Sequence, residues 1–242
     1  MCYDLCDMKK IHRFIVDQPL TGSTISLADL DVVHQIASVL RLKLGEQIVL
    51  CDGNGTDVLC RITEVSKKRV SVGVYERRPN TAEPTAQVTL YCAMLKRENF
   101  EFVVQKATEI GVSEIVPVRT ERTVKLEVKQ DRLRKIIREA AEQSGRGRLP
   151  VLHEPMSFAD ALIDAKRHGV NAFFEPTGTV APQVFLTHPT GTVGAWVGPE
   201  GGWTDDEISN ARHSGCRITQ LGKSVLRAET AAVVAAFLAV NS

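Results

Sequence analysis

Two glycine-marked turns in the last third of the chain have the residue types and spacing best suited to a binding site. The first, Gly198-Pro199-Glu200-Gly201-Gly202, follows the apolar run Ala195-Trp196-Val197. The second, Gly222-Lys223-Ser224-Val225-Leu226-Arg227, follows Ile218-Thr219-Gln220-Leu221. Glycine has no Cβ, so it allows positive φ and lets backbone N–H and C=O groups approach a ligand closely. We expect the two turns to meet in space and form one small-molecule site, although either turn alone is equally typical of a plain strand-to-helix connection.

Glu200 indicates which ligand such a site would take. A carboxylate inside the turn would repel a phosphate, which favours a neutral or cationic ligand, such as the adenosyl and sulfonium parts of S-adenosylmethionine. The alternative is that Glu200 accepts hydrogen bonds from amide groups at a helix start. The strand predicted over residues 88–95 is followed by Lys96-Arg97-Glu98-Asn99 without a GxGxxG turn, and no GxxxxGK[ST] loop occurs. An ordinary Rossmann or P-loop enzyme is therefore disfavoured.

The elements around these turns predict an α/β domain with a mostly parallel sheet. Apolar strand-like runs alternate with helical periodicity after residue 85. Thr204-Asp205-Asp206-Glu207 has the spacing of a capping box, so a helix should begin directly after the first glycine turn. Gly111, Gly169 and Gly215 stand where glycines that end helices belong. The predicted strands are 88–95, 115–118, 172–174, 192–197 and 218–221, and the predicted helices are 99–110, 131–143, 158–168, 205–213 and 229–240.

The first third of the chain predicts a small β-rich module that closes into a compact barrel. Strands are expected over residues 11–16, 24–27, 47–51, 58–65 and 69–75, with one helix over 31–42 capped by Asp29 or Asp31. Residues 77–85 lack apolar periodicity and include two prolines, as a linker would. We therefore divide the chain into domain 1–78, whose residues 1–10 are an extra leader, a linker over 79–85, and domain 86–242.

Basic residues cluster on the helix predicted around residues 129–143 and continue into the glycine-punctuated loop with Arg146 and Arg148. Such a surface is typical of phosphate contacts with RNA. A solvated helix face is the favoured explanation of the helical part, but it explains the two loop arginines poorly. A second basic edge on the small module comprises Lys67, Lys68, Arg69, Arg77 and Arg78.

Composition sets the remaining limits. Hydrophobic residues at 43% and charged residues at 24% exclude a disordered or fibrous chain. The six cysteines form no CxxC pair and the six histidines have no metal-like spacing, so we expect free thiols, no metal and a cytoplasmic location. The longest apolar run, residues 231–240, is too short for a membrane span, which needs about 20 residues.

The two glycine turns, extended through Glu229-Thr230-Ala231, resemble those of the RsmE-type family. This family comprises SPOUT-class methyltransferases that methylate N3 of a uridine in small-subunit (16S) ribosomal RNA. Further stretches of the chain also match: His12-Arg13-Phe14, Val39-Leu40-Arg41, Gln105-Lys106-Ala107-Thr108-Glu109-Ile110-Gly111 and Glu139-Ala140-Ala141-Glu142-Gln143-Ser144-Gly145-Arg146. The likeness extends from about residue 11 to the end of the chain. Departures from the family pattern are Trp203 for Phe, Ser224 for Arg, Ala228 for Thr, and the leader.

The resemblance implies a PUA-like amino-terminal β-barrel that binds RNA and a carboxyl-terminal SPOUT-type α/β domain with a trefoil knot. It also implies a homodimer with S-adenosylmethionine in the knot loops, acting on ribosomal RNA within the assembled subunit. The residues it implies for cofactor binding are Phe174, Glu175, Val197, Gly198, Glu200, Gly201, Gly202, Leu221, Gly222, Val225, Leu226 and Arg227.

Methylation at N3 requires removal of the N3 proton, stabilisation of negative charge on the ring and alignment of the nitrogen with the methyl group. N3 lies on the pairing edge, so the target must be unpaired or flipped out. We assign Arg227 to orientation or charge stabilisation, and Arg146 to the target site, reaching across the dimer. Glu200 and Glu229 are the candidate bases. The candidate RNA-binding residues are Arg13, Arg41, Lys96, Arg97, Arg146 and Arg148.

Three other functions remain open on the sequence. One is a different knotted RNA methyltransferase that acts on a ribose 2′-hydroxyl or another base position. The second is a non-enzymatic RNA-binding protein of ribosome assembly, which would not need the paired glycine turns. The third is a nucleotide-binding metabolic enzyme, which predicts no salt-dependent RNA affinity.

Overall fold

The computed structural model describes residues 11–123, 129–180 and 191–242. Its chain divides into two units. The amino-terminal unit runs through Glu83 and also includes Ala141–Arg148, and the carboxyl-terminal unit comprises Pro84–Ala140 and Leu149–Ser242. The leader, with Cys2 and Cys6, lies outside the described residues. No described helix is long and apolar enough to cross a membrane.

The amino-terminal unit is built on one five-stranded sheet in the order β1-β3-β4-β5-β2. Strands β1 and β3 are parallel and the other neighbours are antiparallel. Alternate residues of β1, β3 and β4 enter one apolar core, among them Phe14, Ile48 and Ile62. The strands are β1 His12–Ile15, β2 Thr24–Ser26, β3 Gln47–Cys51, β4 Thr56–Val65 and β5 Val70–Pro79.

Helix α1 covers Leu30–His34 and continues as a π-helical segment over Gln35–Val39. The predicted cap is confirmed, because the Asp29 carboxylate accepts from the backbone N–H groups of Asp31 and Val32. The predicted end at residue 42 is wrong. The chain leaves the helix at Arg41, whose φ is +53°, and the Leu42 N–H donates to the carbonyl of Ile36 at 3.0 Å.

Strand β5 extends further than predicted and includes residues 77–79 of the predicted linker. Its last residues pair with β4, where Val58 lies opposite Arg77 and Thr56 opposite Pro79. These positions are exposed on β5, so they lack the apolar alternation that marks a half-buried strand. Periodicity therefore misses them although their backbone is paired.

The segment Ala141–Arg148 packs with the amino-terminal unit, whereas the sequence boundaries assign it to 86–242. Several hydrogen bonds tie its backbone there: for example, the Gly55 N–H donates to the Gly147 carbonyl at 2.7 Å, and the Asn80 amide donates to the Gly145 carbonyl at 3.0 Å. Such contacts join residues more than sixty positions apart. No local pattern predicts them.

The carboxyl-terminal unit contains a parallel sheet in the order β12-β10-β11-β6-β7-β8, with β9 also pairing with β7. The short strands β8 and β9 were not predicted. The other five confirm the predicted runs, β11 with the predicted ends and four with shifted ends. The strands are β6 Gln87–Ala93, β7 Glu114–Arg119, β8 Val151–Leu152, β9 Met156–Ser157, β10 Val170–Val180, β11 Thr192–Val197 and β12 Arg217–Gln220.

Helices cover both faces of this sheet, as buried parallel strands require. Alternate residues of β6 enter different cores: Leu90 packs in the cluster with α2 and α6, and Tyr91 packs in the cluster with α4 and α5. Gly111 and Gly215 adopt the predicted positive φ, but Gly169 does not, because a 3₁₀ turn over Ala165–Arg167 ends this helix at an extended His168. The helices are α2 Arg97–Ile110, α3 Gln130–Ser144, α4 Phe158–Asp164, α5 Asp205–His213 and α6 Ala228–Val240.

The predicted fold class is therefore confirmed as a β-rich module followed by an α/β domain with a mostly parallel sheet. The trefoil knot implied by the family resemblance stays a prediction.

A buried polar cluster lies beside β6 in this unit. The Tyr91 hydroxyl donates to Asp164 at 2.5 Å and lies 3.0 Å from Nε2 of His168. Burial and the neighbouring Asp164 carboxylate raise the pKa of Tyr91, and burial lowers the pKa of His168 to about 4. His168 is therefore neutral at physiological pH.

Candidate functional site

A pocket of about 690 Å³ opens at the carboxyl ends of β11 and β12, beside residues 174–176 in the middle of β10, in the carboxyl-terminal unit. Open α/β sheets usually bind ligands at this edge. The chain after Phe174, the turn from Gly198 to Gly202, and the turn from Leu221 to Arg227 all line it. The prediction that the two glycine turns meet in space is confirmed.

Trp203 connects two of these walls. Its indole Nε1 donates to the carbonyl of Phe174 at 3.0 Å, and only 6% of the residue is exposed. A Cβ at Gly198 would lie 2.9 Å from this indole, closer than real Cβ contacts allow. Glycine is therefore required at 198 because the backbone lies against the tryptophan ring.

Arg122 and the start of α5 hold the other side of the first glycine turn. The Arg122 guanidinium donates to the carbonyls of Gly201 and Trp203 at 2.8 and 3.1 Å. The predicted capping box is confirmed, since Thr204 and Glu207 exchange side-chain-to-backbone hydrogen bonds. Glu207 also accepts from the Glu121 N–H at 3.0 Å, which joins the loop after β7 to α5. The turn is thus clamped at both ends.

The second glycine turn leads directly into α6. Gly222 has a φ of +152°, and Arg227 is the N-cap residue of α6, with no capping hydrogen bond from its side chain. Arg227 is exposed at the pocket, and Glu229 lies in the first turn of the helix. The positive end of the α6 dipole and the Arg227 guanidinium therefore both face this part of the site.

Three carboxylates line the pocket, and two of them already accept hydrogen bonds. Glu175 accepts from the N–H of Thr177 at 2.7 Å. Glu200 accepts from the N–H of Lys96 at 3.1 Å, at the N-terminus of α2. Glu200 therefore fills the alternative role: its carboxylate accepts a hydrogen bond from an amide at the start of a helix. Among the described residues, the Glu229 side chain has no hydrogen-bond or ion-pair partner.

Every residue proposed from the sequence for cofactor binding lines this pocket, as does Glu229. Their binding roles stay predictions. Sequence reasoning missed Asn99, Arg122, Trp203 and Gln220, which also line it. Asn99 and Arg122 come from distant parts of the chain with no local signal. Trp203 and Gln220 flank the two glycine turns, so these two omissions were detectable.

The other predicted functional residues lie elsewhere. Arg146 belongs to the amino-terminal unit, is 3% exposed and pairs with Glu83 at 2.9 Å. Burial alone would raise the pKa of Glu83, but hydrogen bonds and charge from Arg146 hold it below its ordinary value. Contact between Arg146 and a substrate would require this ion pair to open, and its target-site role stays a prediction.

The remaining candidate RNA-binding residues differ in how far they are engaged. Arg13 forms a two-pronged pair with Asp57 at 2.6 and 2.7 Å. Arg97 bonds to Glu101 at 3.0 Å but is itself exposed, as are Arg41, Lys96 and Arg148. The described residues contain no group of His, Cys, Asp and Glu side chains that could hold a metal ion.

Comparisons with known proteins agree with this geometry. The family model for an RNA methyltransferase domain matches residues 81–240, and that for an RNA methyltransferase PUA domain matches residues 27–75. Ribosomal RNA small subunit methyltransferase E of Rickettsia conorii is 30% identical over 233 residues, which cover 93% of each chain. The Bacillus subtilis protein of the same name is 32% identical over 228 residues, which cover 84% of each chain.

A similar solved structure is the crystal structure of ribosomal RNA small subunit methyltransferase E from Neisseria gonorrhoeae bound to S-adenosyl methionine. It is 31% identical, with a TM-score of 0.85 over 93% of this chain and 95% of that one. Together with the family models, these matches show that the chain belongs to the ribosomal RNA small subunit methyltransferase E family of RNA methyltransferases.

Proposed function

We propose that this protein transfers the methyl group of S-adenosylmethionine to N3 of a uridine in small-subunit ribosomal RNA. The observation that carries the proposal is the single pocket formed by both glycine turns at the carboxyl edge of the parallel sheet. The similar Neisseria gonorrhoeae structure is described as bound to S-adenosyl methionine. The N3 position follows from the family resemblance.

The residues of the pocket fit this cofactor. The pocket lining combines three carboxylates, Glu175, Glu200 and Glu229, with three cations, Arg122, Lys223 and Arg227. The carboxylates offer partners for a sulfonium cation. The turns around Gly198 and Gly222 bring backbone N–H and C=O groups to the surface, as recognition of adenine and ribose requires. When bound, S-adenosylmethionine supplies an electrophilic methyl group.

Glu229 and Arg227 supply the proton acceptor and the charge stabilisation that methylation of the uracil ring requires. Glu229 accepts the N3 proton on a carboxylate oxygen, since the carboxylates of Glu175 and Glu200 already accept backbone N–H groups. Removal of that proton leaves negative charge on N3, O2 and O4 of the ring. Arg227 donates to a ring carbonyl oxygen and stabilises this charge. Its exposed position at the N-cap of α6 leaves it accessible to a substrate.

The proposal extends to partners and location. A homodimer is supported by the apolar side chains of Phe102 and Phe237, which are 43% and 56% exposed on α2 and α6, two helices that pack together. Phe237→Glu should therefore shift the mass measured by light scattering from dimer to monomer.

The assembled small subunit is the proposed form of the substrate. The cytoplasm is the proposed location, and the four buried free thiols among the described residues are consistent with it.

The function is tested by incubating the purified protein with labelled S-adenosylmethionine and either free small-subunit RNA or assembled particles. We expect label in the RNA, at N3 of one uridine by mass spectrometry. Label on a ribose 2′-oxygen or another base atom would instead identify a different RNA methyltransferase. Absence of cofactor binding by calorimetry would refute the enzymatic function altogether.

Arg227→Ala tests the mechanism. Loss of one charge-stabilising donor should lower kcat about 100-fold, with an unchanged thermal unfolding midpoint. Arg212→Ala, which removes an exposed arginine from α5, is the matched control and should retain normal turnover. Near-normal activity of Arg227→Ala would remove this residue from the mechanism.

A further inference from the structure

The amino-terminal unit contains a second concave site that the methyltransferase pocket does not use. This groove encloses about 410 Å³, within the range of small-ligand sites. Its walls come from β1, the π-helical segment and the segment 141–148. The residues that matter for its chemistry are His12, Arg13, Gln35, Leu40, Glu142 and Gln143.

The charges in its walls are already engaged. Arg13 is paired through both terminal nitrogens with Asp57, and Glu142 accepts from the Ile15 N–H at 2.8 Å. The net attraction for an anion inside the groove is therefore weak, and a phosphate has no unpaired cation to bind. The imidazole of His12 and the amides of Gln35 and Gln143 line the groove, and they suit a flat, uncharged ligand with donors and acceptors on its edge.

Gln35 has a favourable position for reading such an edge. It opens the π-helical segment, a rare form of helix that occurs frequently at functional sites. Its side-chain amide, which offers one acceptor and two donors, has no hydrogen-bond partner within the described part of the chain. A base edge would satisfy these groups.

Arg41 is an exposed cation next in sequence to Leu40, a residue of the groove wall. It occupies the left-handed position at which glycine usually ends a helix, and it is the one non-glycine residue with positive φ in the described ranges. This conformation costs an arginine free energy that glycine would avoid. Strained positions of this kind cluster at functional sites.

We propose that this groove binds one unpaired nucleotide of the RNA substrate, with the base between His12 and Gln35 and a neighbouring phosphate on Arg41. The inference rests on the proposed function only in taking RNA as the ligand. Single-stranded RNA is read through splayed bases that stack on rings and hydrogen-bond along their edges. The groove is thus a second recognition point, separate from the nucleotide that is methylated.

Fluorescence anisotropy tests this with a short labelled single-stranded RNA, the same RNA annealed to its complement, and the full-length protein. Gln35→Ala should weaken single-strand binding about tenfold, whereas Gln47→Ala, which removes an exposed glutamine from β3, should not. Duplex RNA should bind more weakly than the single strand and should be insensitive to Gln35→Ala.

Arg41→Gly separates a phosphate contact from a structural role. It should weaken binding and reduce the slope of log K against log salt by about 0.7, the value for one single-strand phosphate, while the thermal midpoint stays equal or rises. Arg61→Ala, an exposed arginine on β4, is the charge-matched control and should leave the RNA affinity unchanged.

The proposal that the groove binds a nucleotide would be overturned by either of two results. One is an equal loss of RNA affinity in Arg41→Gly and Arg61→Ala, and the other is wild-type RNA affinity in Gln35→Ala. Calorimetry with S-adenosylmethionine keeps the two proposals apart. If the wild type binds cofactor and methylates RNA while the groove variants bind RNA normally, the groove proposal fails and the proposed function stands. If the wild type binds no cofactor, the proposed function fails, and the RNA titrations still show whether the groove binds RNA.

Discussion

Gly198→Ala is the sharpest test of how the methyltransferase pocket is held together. The new Cβ would lie 2.9 and 3.0 Å from Cε2 and Nε1 of Trp203, against an ordinary contact of about 3.5–4.0 Å. The indole therefore has to move by about 0.5 Å or more. It cannot move freely, because its ring packs 4.3 Å from that of Phe173 and 5.6 Å from that of Phe158, centroid to centroid.

The cost has two parts. Overpacking a buried site costs about 1–3 kcal/mol, and weakening the hydrogen bond from Trp203 to the Phe174 carbonyl costs about 1 kcal/mol. We expect the free energy of unfolding to fall by about 2–4 kcal/mol. The midpoint Tm should then fall by about 4–16 °C. The first and second walls of the pocket should separate, so the affinity for S-adenosylmethionine should fall about tenfold or more, because 1.4 kcal/mol corresponds to a factor of ten.

Calorimetric titration with S-adenosylmethionine and thermal denaturation measure the two effects. Gly201→Ala is the control in the same turn. Its Cβ would lie 3.5 Å from Arg122, an ordinary contact, and its φ is not in the left-handed region. Its Kd should stay within about twofold of the wild type, well under the 1.4 kcal/mol of a tenfold change. A Gly198→Ala protein with wild-type Kd and Tm, or equal losses in both variants, would refute the reasoning.

Three further predictions follow from other contacts. Glu83→Ala strips the carboxylate from buried Arg146 and should lower the free energy of unfolding by about 3 kcal/mol in urea titrations; wild-type stability would contradict this. His168 is neutral in the fold, with a pKa of about 4 against 6.5 when unfolded, so its contribution to stability is complete above pH 6.5 and is lost as pH falls towards 4. Between pH 7 and 5 the wild type should lose about 2 kcal/mol more than His168→Leu, and equal losses would refute that assignment. Arg122→Ala removes two hydrogen bonds to the first glycine turn and should raise the Kd for S-adenosylmethionine about fivefold in calorimetry, whereas an unchanged Kd would show that the turn holds without it.

The sequence predicted those parts of the structure that local chemistry controls. The helices α2 and α5 follow from their 3.6-residue period and from the capping box at Thr204, which needs only four consecutive residues. The glycine turns could also be predicted, because each is encoded by a few consecutive residues. Their convergence could be predicted because the carboxyl ends of parallel strands share one edge of the sheet.

The parts that were missed depend on contacts between distant residues. The segment 141–148 joins the amino-terminal unit through partners such as Glu83 and Gly55, and the end of β5 is extended because β4 pairs with it. The helix predicted over residues 31–42 ends early in a π-helical segment and a left-handed Arg41, where residue preference would favour glycine. In each case tertiary contacts override the local pattern.

The carboxylates of the methyltransferase pocket show how such contacts decide chemistry. The sequence offers both Glu200 and Glu229 as candidates for the base. Glu200 accepts the N–H of Lys96, more than a hundred residues away, so its carboxylate holds the first turn against the start of α2. Glu229 stands beside Arg227 on α6 and is not so engaged. Glu229 is therefore the base that we propose, and the observation that separates it from Glu200 is a contact between distant residues rather than a feature of either motif.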